Sequence, residues 1–349
     1  MSRTLFTHHA AKRLGAALLT VLALPAAVSA GKRAADLLPV KKGGKWGYID
    51  RRGAVVIAPR FDGAAEFSDR VASVRVGRGW GLIDDAGALL IEPRFSAPLR
   101  FSGGLARAVD ESGRIGFVDK GGAWAIPPRF ESSHWGYLGK EQFSEGLAAV
   151  QSAGRWEYID RAGRVAFRGD FDGATGFSEG LAAVRVGELW GYIDKTGAFA
   201  IAPQFMYAGP FSEGLANVRR PNAFESYIDR AGRDVFTTEY CFGYPFSEGL
   251  AAIERHCDGP KLYLDRAGNV VLRTRYRFAS NFSEGLAVVN TVFRAGVWGA
   301  GYIDRTGKFV ISPRFERADD FSGGLARVEL GGRVGYIDRQ GKFVWPLTD

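Results

Sequence analysis

The chain has 349 residues, 46% of them hydrophobic, and carries 46 Lys and Arg against 38 Asp and Glu, a net charge of +8. The basic residues are spread along its length and never gather into a cluster interleaved with stacking aromatics, which argues against a nucleic-acid partner. No nucleophile elbow, Walker loop, HExxH helix or dinucleotide fingerprint is present.

The first thirty residues stand apart. Lys12 and Arg13 precede a 15-residue apolar run, and Val28-Ser29-Ala30 supplies small residues at a cleavage position. This pattern predicts a secretory signal peptide over 1–30, cleaved after Ala30, too short to be a spanning helix. Without it the net charge falls to +5, because Arg3, Lys12 and Arg13 leave and no acid leaves with them. No later segment approaches membrane-spanning length, so residues 31–349 are expected to be periplasmic or secreted.

From about residue 38 one unit of about 35 residues recurs nine times. Its firmest mark is an aromatic or apolar residue, an aliphatic, Asp, two variable residues and Gly. The nine Asp residues are Asp50, Asp84, Asp119, Asp160, Asp194, Asp229, Asp265, Asp304 and Asp338. A second mark, Phe-Ser followed by a turn, starts at Phe67, Phe101, Phe143, Phe177, Phe211, Phe246, Phe282 and Phe321. A third, Pro-x-Phe, ends at Phe61, Phe95, Phe130, Phe205 and Phe315. The marks keep their order throughout.

These marks, with Trp-Gly at Trp46-Gly47, Trp80-Gly81, Trp190-Gly191 and Trp298-Gly299, resemble the WG-repeat family. The resemblance implies a β-rich repeat array and no known reaction. Units three and nine keep only Gly116 and Gly335. Trp156-Glu157, Glu225-Ser226 and Lys261-Leu262 depart from the pattern in units four, six and seven.

Within a unit, "LAAVRV" (181–186), "WGYID" (190–194) and the run ending at Phe205 are short β-favouring stretches split by glycines. They predict an all-β antiparallel meander. Asp at the start of each tight turn accepts backbone N–H bonds, and the Gly three residues on supplies positive φ. The nine Asp residues are therefore read as turn residues rather than cation ligands. No second acidic position recurs beside them to complete a cation site. The Glu of "FSEG" (145, 179, 213, 248, 284) reads as a solvated turn carboxylate, or as an acidic band along one rim.

Strands apolar on both faces must be covered on both faces. The meanders therefore pack face to face, as a β-propeller-like toroid or as an open superhelical array. Small residues in "GLAAV" and large ones in the later strands suggest a wedge with the "GLA" strand innermost, which favours the toroid.

Departures from a repeat mark the places where something other than scaffold can sit. Residues 131–142 lengthen unit three and carry His134, Trp135 and Tyr137, a candidate ligand-binding loop for a sugar ring or a peptide. Residues 219–226 replace Trp-Gly, and 291–301 extend a hairpin. Cys241 and Cys257 either pair in an oxidising compartment or stay as buried thiols. His256, Cys257 and Asp258 are adjacent and so point to opposite sides of a strand, which argues against a metal site. No catalytic, cofactor or metal residue is assigned. The expected function is an exported, non-catalytic scaffold for a protein or an envelope polysaccharide or peptidoglycan. The alternative is an envelope-polymer hydrolase or lyase with acids converging on the axis.

Overall fold

The computed structural model describes residues 37–131, 142–240, 242–254, 259–294 and 297–349. Among them there is no helix. The strands form nine small antiparallel sheets, one per repeat, arranged in a ring as a nine-bladed β-propeller. Blade 5 shows the full pattern, with strands Gly173–Ala174, Ala182–Val186, Leu189–Ile193 and Phe199–Phe205 paired in that order. Blades 1 and 4 show three strands among the described residues.

The ring closes. Val40 and Ile49 of blade 1 share one buried cluster with Leu325, Tyr336 and Trp345 of blade 9. Gly44 N–H donates to Asp349 O, and Arg51 Nη1 donates to the carbonyls of Ser322 and Gly323 at 2.7 and 2.6 Å. The same joint recurs inside the array. Lys195 of blade 5 pairs with Glu145 of blade 4, and Arg305 of blade 8 pairs with Glu248 of blade 7.

The "GLA" strand is not innermost, contrary to the sequence reading. In the seven four-stranded sheets it sits second, flanked on both sides. The inner edge is the irregular segment between Pro-x-Phe and Phe-Ser, which forms only a two-residue strand such as Gly173–Ala174. Two features place this edge at the axis. A short Ser178 side chain reaches the Phe211 carbonyl of the next blade at 2.7 Å, and Ser144, Ser212, Ser247 and Ser283 do the same. At the other edge the gap between blades is spanned by long Arg side chains, as from Arg60 to Gly87 O. The wedge is narrow at the short strands and wide at the seven-residue outer strands.

Two side-chain devices join the blades. A buried Tyr donates to a backbone carbonyl of the following blade: Tyr48 to Ala65, Tyr158 to Thr175, Tyr192 to Gly209, Tyr302 to Asp319 and, across the seam, Tyr336 to Pro39. Burial raises the pKa of the Tyr192 phenol, which keeps the proton on the donor. The second device is a crossing of strands. In six blades the third strand carries Gly (47, 81, 116, 191, 301, 335), and the outer strand bulges over it at Pro59, Pro93, Pro128, Pro203, Pro313 or Pro346. A Cβ on Gly191 would stand 2.6 Å from Ile201 O and 2.7 Å from Pro203 N. Blades 4, 6 and 7 lack that Gly and that Pro together and carry Glu157, Ser226 and Leu262. In blade 8 the structural match to Gly191 is Gly301, so Trp298-Gly299 lies in the extended hairpin and is not the motif it resembles.

Candidate functional site on the inner edge

In the regular blades a Trp on the third strand packs over a small residue on the inner strand. A Cβ at Gly63 would lie 3.1 Å from Trp80, and one at Gly173 would lie 3.2 Å from Trp190. Blades 6, 7 and 8 reverse the sizes. The Trp position holds Glu225, Lys261 and Ala300, while the inner strand holds Tyr207, Phe242 and Phe278. The aromatic has moved from the third strand to the axis-facing edge, where all three rings are exposed. Trp298, from the lengthened hairpin of blade 8, stands edge-on to Phe278 with ring centroids 6.3 Å apart. Tyr244 adds a further exposed ring.

The two charged replacements are buried. Glu225, 2% exposed, accepts from Gly243 N of the next blade at 2.7 Å, and burial raises its carboxyl pKa. Lys261, 3% exposed, donates to Glu254 at 2.6 Å and sits 4.0 Å from the Tyr244 ring centroid. Beside it opens a cleft of about 660 Å³ between the inner strands of blades 7, 8 and 9. Tyr244, Glu254, Lys261, Phe278, Asp319 and Asp320 are among its walls. Ser280 donates to Asp320 Oδ1 at 2.6 Å, and Arg327 lies 3.6 Å from Asp319. Among the described residues no three His, Cys, Asp or Glu stand close enough to share a metal ion.

On the face of the ring that carries the Asp-x-x-Gly turns, the Glu of "FSEG" is a turn carboxylate that stays partly exposed but is tied to the next blade rather than left in a free acidic band. Glu145, Glu179, Glu213, Glu248 and Glu284 accept from the N–H of Gly180, Gly214, Gly249, Gly285 and Gly324 in the next blade. Each sits with φ between 52° and 54°, the first position of a two-residue turn in which both φ values are positive. Where Glu is missing, the next blade fills the space. A Cβ at Gly103 would strike the Arg161 guanidinium, and one at Gly323 would strike Arg51.

The Asp residues named in the sequence occupy the turns between third and outer strands. Asp194 Oδ1 accepts from Thr196 N, Thr196 Oγ1 and Ala198 N. That hydroxyl and those amides hold its carboxyl below the ordinary 3.8. The same turn recurs at Asp110, between the second and third strands of blade 3, which the sequence reading missed although "DESGR" displays it. His134, Trp135 and Tyr137 lie outside the described residues, as do Cys241 and Cys257. The described flank Glu131 pairs with Gln151 of blade 4.

Fold and inner edge together define a repeat β-propeller whose regular positions build the ring and whose irregular blades expose an aromatic arc. The chain belongs to the WG-repeat family. The family model described as "WG containing repeat" matches residues 46–78, 80–111, 115–156, 158–190, 190–220, 263–291 and 301–333, well over half of the chain. The two longest intervals it passes over within that span, 221–262 and 292–300, hold Glu225, Phe242, Tyr244, Lys261 and Trp298. No curated protein sequence is a match for the chain. A solved structure of a eukaryotic initiation factor is similar in fold, with a TM-score of 0.64 at 10% identity over 90% of this chain and 97% of that one. BamB from Moraxella catarrhalis gives 0.46 at 15% identity, covering 78% of this chain and 90% of that one.

Proposed function

We propose that the protein is exported and acts as a non-catalytic scaffold, binding a protein or envelope glycan through the inner edge of blades 6 to 9. The observation that carries this reading is the exchange of sizes in three consecutive blades. The described inner strands of blades 2, 5 and 9 hold Gly63, Gly173 and Arg317 at that position, and those blades form regardless, so packing does not require the exposed rings of Tyr207, Phe242 and Phe278. Exposed planar rings beside carboxylates suit a partner that stacks and hydrogen-bonds. Export is supported by the apolar leader over residues 1–30.

The test replaces Phe242, Phe278 and Trp298 by Ala together and measures binding to fractionated envelope. The expected result is an unchanged melting curve and binding weakened at least about tenfold, a loss of about 1.4 kcal/mol. Unchanged binding would defeat the assignment of the arc. Exchange of 132–141 for a short linker asks separately whether His134, Trp135 and Tyr137 contribute. N-terminal sequencing of protein from an exporting host tests removal of residues 1–30. Release of soluble fragments from envelope polymer, abolished in Glu254→Gln or Asp320→Asn, would instead support the hydrolase reading.

A further inference from the structure

Two seams of the arc can be compared position by position. Where blade 6 meets blade 7, the Arg219 guanidinium stands 6.0 Å from the centroid of Phe242. Within blade 7, Lys261 Nζ stands 4.0 Å from the centroid of Tyr244. The chain thus sets its own cations over two of these rings, an arrangement that the negative face of an aromatic ring favours. One blade on, Phe278 takes the place of Phe242, and the residue in the place of Arg219 is Glu254. Phe278 is 60% exposed and shares the cleft with Glu254, Asp319 and Asp320.

The charges of that cleft do not cancel. Lys261 is taken up by Glu254 at 2.6 Å. Ser280 occupies one oxygen of Asp320, and Arg327 approaches one oxygen of Asp319 at a loose 3.6 Å. Each of these two carboxylates keeps a second oxygen for which the described residues provide no bond. The cleft is thus net negative and holds an exposed ring, although the chain as a whole carries a net charge of +8.

We infer that the cleft between blades 7, 8 and 9 receives a cationic side chain, Lys or Arg, from an extended segment of a partner polypeptide. The inference rests on the scaffold reading above and narrows its partner to protein. The ammonium or guanidinium group lies over Phe278 and is held by Asp319 and Asp320, completing the cation–ring pairing that the two neighbouring rings make internally. A neutral sugar would stack on the ring but would bring no counter-charge to Asp320, and would leave Asp319 with only the loose approach of Arg327.

The probe is a capped pentalysine peptide titrated into the full chain by calorimetry, with a capped pentaglutamine peptide and a chitin pentamer in parallel. The expected result is saturable binding of pentalysine alone, weakened when salt rises. Phe278→Ala should weaken it about tenfold, in line with a desolvated cation–ring contact. The double variant Asp319→Asn/Asp320→Asn should weaken it further. Asn keeps the shape and can still accept from Ser280, and an unchanged melt verifies the fold. Equal binding by wild type and the Asn variant, or no pentalysine binding into the millimolar range, would overturn the inference. Chitin binding lost in Phe278→Ala but kept in the Asn variant would also overturn it, while leaving the scaffold reading in place.

Discussion

Replacing Arg70 by Gly should stabilise this protein. Eight Phe-Ser turns are described, and their second turn residue is Gly in seven and Arg70 in one. Arg70 holds φ at 69°, against 81° for Gly180 in the equivalent place. A side chain in that left-handed region costs about 1–2 kcal/mol. Gly returns part of this, about 0.4–1 kcal/mol, through the greater freedom of the unfolded chain. The Arg70–Asp85 contact is 3.9 Å long with Arg70 largely exposed, so its loss costs at most about 0.5 kcal/mol. The net gain is about 0.5 kcal/mol. The reciprocal change, Gly180→Ala, should lose about 1 kcal/mol. Its Cβ would meet only the mobile end of Arg230 at 3.2 Å, so φ rather than space sets the sign. Urea midpoints of the two variants should move in opposite directions. A shift of both in the same direction would refute the argument from turn geometry.

Tyr192→Phe and Tyr336→Phe should each cost about 1–3 kcal/mol, since each orphans a carbonyl at a blade joint, Gly209 O or Pro39 O. A silent Tyr336→Phe beside a costly Tyr192→Phe would mean the ring is open in solution. Asp194→Ala should lower the melting temperature without removing a bound cation. Because the Asp194 and Asp304 carboxyls titrate below 3.8, their stabilisation is complete above that pH and is lost as pH falls through their lower folded values, which acid melts read directly. Glu225 has the opposite sign: its folded pKa lies above the ordinary 4.5, so its ionisation weighs against the fold as pH rises. Glu225→Gln should therefore raise stability near neutral pH and make no difference below about pH 4, as thermal melts at the two pH values would show.

The unit length, its strands and the nine Asp turns were legible because each depends on contacts within a few residues. Asp-x-x-Gly closes its own turn, and "LAAVRV" and "WGYID" are β-favouring without help. The radial order was not legible. Segments such as "DGATG" (172–176) have no periodicity, since only two residues of each pair in register, and the small "GLA" residues suggested the axis in their place. The inter-blade bond of the "FSEG" Glu was hidden for a similar reason, because its partner, the next blade's Gly N–H, lies about 35 residues away. The candidate arc left a trace. Glu225 and Lys261 at the Trp position were visible departures, but the compensating Tyr207, Phe242 and Phe278 become meaningful only once the inner strand is aligned with the third.

The crossing of Gly and Pro has a consequence for how such units change over time. With the bulge in place, any side chain at Gly191 meets a carbonyl, so the Gly cannot drift while the bulge stays without a destabilised intermediate. Units holding the pair are locked to that order of change. Blades 4, 6 and 7 stand outside that lock, and two of the three have also surrendered the neighbouring Trp. New surface can be written there at little risk to the ring, which is where most of the arc begins.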